Sequence, residues 1–507
     1  MKKFLGVVCA AMFMTSTAEA VYEASSDTGT EIFDYIENRR REARDKKLTE
    51  EQEKLLADIA KEKERLPHEQ KEGDPIPAIF EGDDLIYYSN SGEFIATGKV
   101  DIIQLDGHRF QSEEATGNVK EQVVRVEDKA HVLQLTEGAP RVTLDGYRTI
   151  YNYGTKRGTM GEANGKVGEY YLTGKRFEFY PDHIVVHNGT QTKCGAKSPD
   201  YHVSAERIEV WPEQVMKMYN VQFLVKGNVV GSREYMERKF GEQEENYFPR
   251  VGYNSDHGVY IRDDFRFPLF PHVDFVVGAY IETKKGVRSN AELQYRNRDF
   301  VGRLKYGFYD DKDARWIQKE PSLDLYYGKH FEGLPLGYSL EAELGHWRQN
   351  SISSTHGVYE ATLYHDPIFI GKYLLFMNTS YKITKDKVKR DYGRDTSVHG
   401  MNWNVLFGRE FNERLAAYVG YSYEKNNSRN SVFDFDLDDY SKKLRAGISY
   451  MVTPKDRIVI GYKMNADNHK MDDIDYYWYH DLHCSQAVIR WRGKRKKLEV
   501  HWEFTPF

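Results

Sequence analysis

From about Tyr247 to Phe507 the chain is a succession of short segments in which apolar and polar residues alternate, separated by turn residues. A period of two marks a strand whose faces meet different surroundings, and a long series of such strands is how a membrane-spanning β-barrel is written. Between His272 and Thr283 one face carries Val273, Phe275, Val277, Ala279 and Ile281, and the other Asp274, Val276, Gly278, Tyr280 and Glu282. The first face suits lipid and the second a wet lumen. Leu415, Ala417, Val419, Tyr421 and Tyr423 alternate in the same way with Ala416, Tyr418, Gly420 and Ser422, and the pattern returns at Ile458, Ile460, Tyr462 and Met464. At about 10 residues per strand plus turns, the region holds roughly 14 to 16 antiparallel strands.

Ile79 to about Lys226 reads as another set of short strands, now with internal echoes. Ala96-Thr97-Gly98-Lys99-Val100 returns as Ala115-Thr116-Gly117-Asn118-Val119, and Leu105-Asp106-Gly107 as Leu144-Asp145-Gly146. Self-similar strand and turn units imply stacked rungs that bury apolar residues against their neighbours. The interior of such a stack is either a filled core or an elongated apolar groove between two curved sheets. Before it, Ser25 to Gln70 is dominated by Glu, Lys and Arg around Ile32, Phe33, Ile36, Leu48, Leu55, Leu56 and Ile59. That spacing predicts one or two weakly amphipathic helices forming a solvated spacer, closed by Pro67, Gly73, Pro75 and Pro77.

Composition adds an address. Lys2 and Lys3, the apolar run Phe4 to Met14 and Ala18-Glu19-Ala20 together read as a secretory signal peptide cleaved after Ala20. No later stretch approaches the roughly 18 apolar residues of a membrane helix, and the mean hydropathy of -0.70 reflects strands that are half polar. Aromatic residues make up 14% of the 507 positions, led by 37 Tyr, which suits interfacial girdles. A formal net charge of -6 gives no support for nucleic-acid binding. Once Cys9 leaves with the signal peptide, Cys194 and Cys484 remain. In an oxidising compartment they are either a disulfide or two unrelated thiols.

Particular residues then carry a resemblance. Thr149-Ile150-Tyr151-Asn152-Tyr153-Gly154-Thr155-Lys156-Arg157-Gly158, followed by Gly161-Glu162-Ala163-Asn164-Gly165, resembles the turn repeat of the organic-solvent-tolerance (OstA-type) periplasmic domain. Thr192-Lys193-Cys194 with Ser198-Pro199-Asp200-Tyr201-His202-Val203-Ser204-Ala205 is similar to the end of that domain in the LPS-assembly protein LptD family, and His483-Cys484-Ser485 to the cysteine near the family's C-terminus. The resemblance implies an all-β chain: signal peptide 1–20, charged helical spacer 21–75, OstA-like periplasmic β-jellyroll or β-taco 76–240, and outer-membrane barrel 241–507. It also implies a Cys194–Cys484 disulfide between the two β-domains. The implied activity is that of a lipopolysaccharide-assembly translocon, not an enzyme, with no cofactor and no metal. It would take lipopolysaccharide from a bridge protein through an apolar groove and release it through a lateral barrel gate.

The same resemblance makes Pro249, Pro268 and Pro506 the gate candidates, since proline removes a ladder donor where the first and last strands meet. Pro506-Phe507 follows a final strand with Leu498, Val500, Trp502 and Phe504 on one face, which partly matches the signal read by outer-membrane barrel assembly machinery. A sheet edge at Glu81 to Tyr88, with Leu85 and Tyr87, is the place for an OstA-type periplasmic bridge protein to add a strand. Arg492, Lys494, Arg495, Lys496 and Lys497 form a basic hairpin tip that faces outward and can meet lipopolysaccharide phosphate. Asp434, Asp436, Asp438 and Asp439, with Asp472, Asp473 and Asp475, read as solvated acidic loops without EF-hand spacing. The barrel is smaller than is usual in the family, leaving little room for a plug lipoprotein. The sequence holds no G-x-S-x-G elbow and no H-E-x-x-H, and the pairs His365-Asp366 and His480-Asp481 have no evident serine. The competing reading is a passive outer-membrane porin or adhesin barrel with a periplasmic domain.

Overall fold

The computed structural model describes residues 28–65, 77–136, 141–168, 170–195, 198–211, 214–239, 249–310, 316–388, 395–428, 430–433, 441–482 and 484–504. The signal peptide, Asp434 to Asp439, Pro506 and Phe507 lie outside these residues. The chain divides into two compact units, one gathering the N-terminal segment up to Arg39 with Asn246–Phe504, the other Arg40–Glu245. Two helices, α1 (Glu31–Lys46) and α2 (Glu50–Glu64), precede the strands.

The second unit contains β1 (Ala78–Glu81), β2 (Asp84–Tyr88), β3 (Glu93–Gln104), β4 (His108–Asn118), β5 (Val123–Val126), β6 (Ala130–Gln134), β7 (Val142–Asn152), β8 (Arg157–Val167), β9 (Tyr170–Phe179), β10 (Ile184–Thr192), β11 (Tyr201–Trp211), β12 (Val215–Val225) and β13 (Asn228–Lys239). They form one open 13-stranded antiparallel sheet ordered β1-β3-β4-β5-β7-β8-β9-β10-β11-β12-β13, with β2 on β3, and β6 between β4 and β7. The first echo is structural: Ala96 of β3 stands opposite Ala115 of β4. The second is not, because Leu105-Asp106-Gly107 is a turn while Leu144 sits inside β7. The 149–158 motif is a hairpin whose corner is set by Asn152, its Oδ1 accepting from the amides of Gly154 and Thr155.

Alternate side chains of this sheet, among them Leu144, Met160, Leu172, Phe177, Val186, Tyr201, Val203, Ile208, Met216 and Met218, are fully buried. The stack therefore has a filled apolar core, the plainer of the two sequence alternatives. Helix α2 adds to it. A capping box between Thr49 and Gln52 starts the helix, and Leu55 and Ile59 pack on Ile103, Leu105 and Leu133.

The first unit is a closed barrel of β14 (Arg250–Asn254), β15 (Gly258–Phe270), β16 (Val273–Glu282), β17 (Gly286–Arg296), β18 (Phe300–Asp310), β19 (Trp316–His330), β20 (Leu336–Gln349), β21 (Ile352–Ile370), β22 (Tyr373–Val388), β23 (Thr396–Glu410), β24 (Leu415–Asn426), β25 (Lys442–Met451), β26 (Asp456–Asn465), β27 (Lys470–Asp481), β28 (Ser485–Arg492) and β29 (Lys497–Phe504). These 16 strands pair in sequence and close β29 onto β14, the upper end of the expected range. Closure pairs the first strand with the last, as a hydrocarbon environment demands.

The faces follow the alternation. Phe275, Ile281, Val405, Phe407, Val419, Tyr421 and Ile458 are exposed on the outside, and Glu282, Asn290, Asp386, Ser422, Lys463, Asp473 and Asp475 are buried inside. The β21–β22 turn is two residues, Gly371-Lys372, with Gly371 at φ 61, a left-handed backbone that favours glycine. Val388, Thr396, Asn426 and Lys442 mark the other end, the end that faces the cell exterior in such barrels.

The charged segment before the strands is more than a solvated spacer. In the barrel unit Ile32, Phe33, Tyr35 and Ile36 are buried inside the ring against Leu374, Phe376, Leu406, Ala416, Tyr418, Val459, Tyr479 and Val488. In the sheet unit α2 covers part of the core.

Candidate functional site: barrel seam and lumen

The seam is where the closing strands meet. Among the described residues the β14–β29 ladder runs from Val251 opposite Trp502 to Asn254 opposite Glu499. A typical neighbour, β16–β17, runs unbroken from Val273 opposite Tyr295 to Glu282 opposite Gly286. On its other side β14 reaches β15 only as far as Arg250 opposite Arg262, while β15 continues to Phe270. Pro249 stands immediately before β14 and is exposed; Pro268 lies in the part of β15 beyond that ladder, at a register break with β16. Among the described residues, the short-turn half of the seam is thus the least paired part of the wall, and the two described gate candidates, Pro249 and Pro268, border it.

The inside of the exterior half is charged and internally neutralised. Glu282 is buried beneath His257 Nδ1 at 2.8 Å, Arg262 Nη2 at 2.8 Å and Arg288 Nη1 at 3.4 Å, and accepts from Trp316 Nε1 at 3.2 Å. Arg490 Nη2 lies 2.6 Å from Asp475, and Arg492 joins Asp473 and Asp475. His356 Nδ1 and Ser354 Oγ both approach Asp386 Oδ1, each at 2.8 Å. Sequence reasoning missed this last trio. Serine and histidine share the carboxylate instead of bonding each other, so the geometry is not that of a serine nucleophile with its base. His480 is turned to Asp456 and His330 to Asp366, so the two sequence His-Asp pairs serve other partners.

The remaining candidates separate. Of the basic hairpin, Arg492 is buried, Arg495 Nε is 3.0 Å from Asp473, and Lys497 lies 2.5 Å from Asp256. Lys494 and Lys496 are exposed at the tip. Asp472 pairs with Lys463 at 3.1 Å, so Asp472, Asp473 and Asp475 are ion-pair partners rather than a solvated loop. No group able to hold a metal ion occurs among the described residues. Leu85 and Tyr87 lie on β2, an edge strand paired only with β3 among the described residues, with every residue exposed. Cys194 and Cys484 are buried and disulfide-bonded.

A closed antiparallel ring with an apolar exterior and a charged interior defines a transmembrane β-barrel of the outer-membrane type. No family model matches the chain, and no curated protein matches it. Among solved structures, it is similar to OmpT, an outer membrane protein of Vibrio cholerae, at 10% identity over 50% of this chain and 94% of that one, with a TM-score of 0.26. The Rh. blastica porin mutant aligns at 8% identity over 50% and 96%, TM-score 0.29. OccK10 (OpdN) of Pseudomonas aeruginosa aligns at 9% over 51% and 97%, TM-score 0.30. Likeness this slight carries no argument about family, cargo or activity.

Proposed function

We propose that the chain is an outer-membrane lipopolysaccharide-assembly translocon. Moving lipopolysaccharide outward requires an acyl anchor to avoid water while a large anionic sugar avoids hydrocarbon. A barrel that opens sideways meets both demands, because the sugar passes by the lumen while the acyl chains leave through the wall. The observation that carries this reading is the seam, four residue pairs long between β14 and β29 among the described residues and flanked by Pro249 and Pro268. A passive pore gains nothing from a weak closing ladder. The 13-stranded sheet is the periplasmic OstA-like domain in this reading, its halves facing each other as a jellyroll. Its edge at Leu85 and Tyr87 accepts the bridge protein, Pro506 completes the gate, and Lys494 and Lys496 meet lipid phosphate. The Cys194–Cys484 disulfide ties the two units covalently.

A covalent lock across the seam tests the proposal. Val251→Cys with Trp502→Cys joins residues directly opposite on β14 and β29, and Val277→Cys with Ala291→Cys does the same between β16 and β17. In proteoliposomes or in cells dependent on this chain, the seam lock should arrest lipopolysaccharide transfer and the β16–β17 lock should not. Equal transfer with the seam verified as cross-linked would overturn the reading and bring the porin alternative forward.

A further inference from the structure

The barrel's inner wall holds an apolar patch that neither a porin nor a lateral gate requires. On β22 to β28, at their short-turn half, Leu374, Phe376, Leu406, Ala416, Val459 and Val488 point inward, an apolar cluster separate from the one formed by Ile317, Trp347 and Phe433. Left bare, such a patch would be wetted apolar surface. It is covered by the chain's own residues.

The fit is specific in shape and in charge. Phe33 stands 5.3 Å from the ring of Tyr418, and Tyr35 meets Phe376 edge-on at 5.3 Å. Asp34 Oδ1 takes Arg457 Nη2 at 2.7 Å, and the same guanidinium lies 3.9 Å over Tyr479. Arg39 caps the ring of Phe369 at 3.7 Å. Ahead of the helix, Thr28 donates to Asp475 at 3.3 Å and its carbonyl accepts from the Tyr418 hydroxyl. The wall is hollowed to match. A Cβ on Gly408 would lie 2.9 Å from Ile32 Cδ1, and one on Gly461 would lie 2.6 Å from Thr30 Cγ2. Two inward glycines thus stand where the segment comes closest.

We infer that residues Thr28 to Arg39 are a built-in plug: the inner wall of β22–β28 is its docking site, and its seating closes the barrel to ions and solutes. Opening requires the segment to leave, so the chain carries internally the element that a separate plug protein would supply. The inference is independent of whether the cargo is lipopolysaccharide.

Two measurements on the full-length protein decide it. Thr30→Cys with Gly461→Cys should cross-link spontaneously, the new peptide pair being found by mass spectrometry beside Cys194–Cys484, and the linked barrel should stay closed in planar bilayers. Ile32→Asp with Phe33→Asp removes two buried apolar anchors and should raise the open fraction by about a hundredfold, seen as conductance. Heat-modifiable migration verifies that this variant retains a folded barrel. A wild-type protein that conducts steadily would overturn the plug. So would a folded double-Asp variant as closed as wild type, or a Thr30→Cys, Gly461→Cys pair whose two new thiols stay reduced in oxidant. If the double-Asp barrel fails to fold, the cross-link and the wild-type conductance still decide.

Discussion

The sheet and the barrel are written with the same two-residue alternation and bury opposite sets of residues. In β9 of the sheet, Leu172 is fully buried while its neighbour Tyr171 faces out; in β23 of the barrel, Val405 and Phe407 are the exposed residues. Hiding apolar side chains suits a fold that faces water, whereas exposing them suits a barrel wall that faces lipid. Period alone therefore fixes which residues share a face and not which face meets water. What separates the two is the company on the polar face. In the barrel it includes Glu282, Lys319, Asp386, Asp473 and Asp475, buried among countercharges, and buried carboxylates need such partners.

The sharpest way to break this contrast is to remove one of those partners. Replacing Glu282 with Leu leaves the Arg262 and Arg288 guanidiniums without the carboxylate they share. Breaking a buried ion cluster from one side costs about 3–5 kcal/mol, so urea should unfold the E282L barrel well below the wild-type midpoint. The hydrogen exchange of the sheet unit should be unchanged.

A smaller effect separates the outer faces. Val405→Arg places a charge on the exterior of the barrel wall near the middle of β23 and should destabilise the protein in a bilayer by about 2–4 kcal/mol. Tyr147→Arg on the exposed face of β7 should change stability by less than about 0.5 kcal/mol. If both substitutions are equally mild in lipid vesicles, the exterior of the ring is not a lipid face.

Much of this was legible in the sequence. The outward sets Val273 to Ile281, Leu415 to Tyr423 and Ile458 to Met464 are the sets the structure exposes or partly exposes, because a strand has only two faces to choose between. The cysteine pair also matched. Two things were not legible. The sheet is a single open array of 13 strands, and alternation says nothing about how strands are joined sideways. The plug was read as part of a solvated helix because Glu, Lys and Arg dominate the whole segment from Ser25 to Gln70 and mask its few apolar residues in any average. A signal was nonetheless present: Ile458-Val459-Ile460 and Leu374-Leu375-Phe376 are apolar on both faces, which a wet lumen does not permit. Such runs mark where something dry lies inside.

The smallest expected effect belongs to the sheet and concerns acid. Asp106, in the turn between β3 and β4, has His108 Nδ1 at 2.9 Å and Lys156 Nζ at 2.7 Å. Burial by itself would raise its carboxyl, but the hydrogen bonds and charges of His108 and Lys156 outweigh burial and bring it down to about 2. A carboxylate held below its unfolded value of 3.8 stabilises the fold fully above that value. The contribution drains away as pH falls from about 4 toward 2, and is on the order of 1 kcal/mol once solvent screening is allowed for. Hydrogen exchange of the peptide spanning residues 101–111 should therefore accelerate in that window in wild type, and Asp106→Asn should flatten the dependence while leaving the barrel strands as protected as before. An identical acid profile in the variant would show that the turn is held by its backbone and not by this carboxylate. The ion clusters of the barrel and the polar turns of the sheet would then differ in kind, the first depending on charge and the second not.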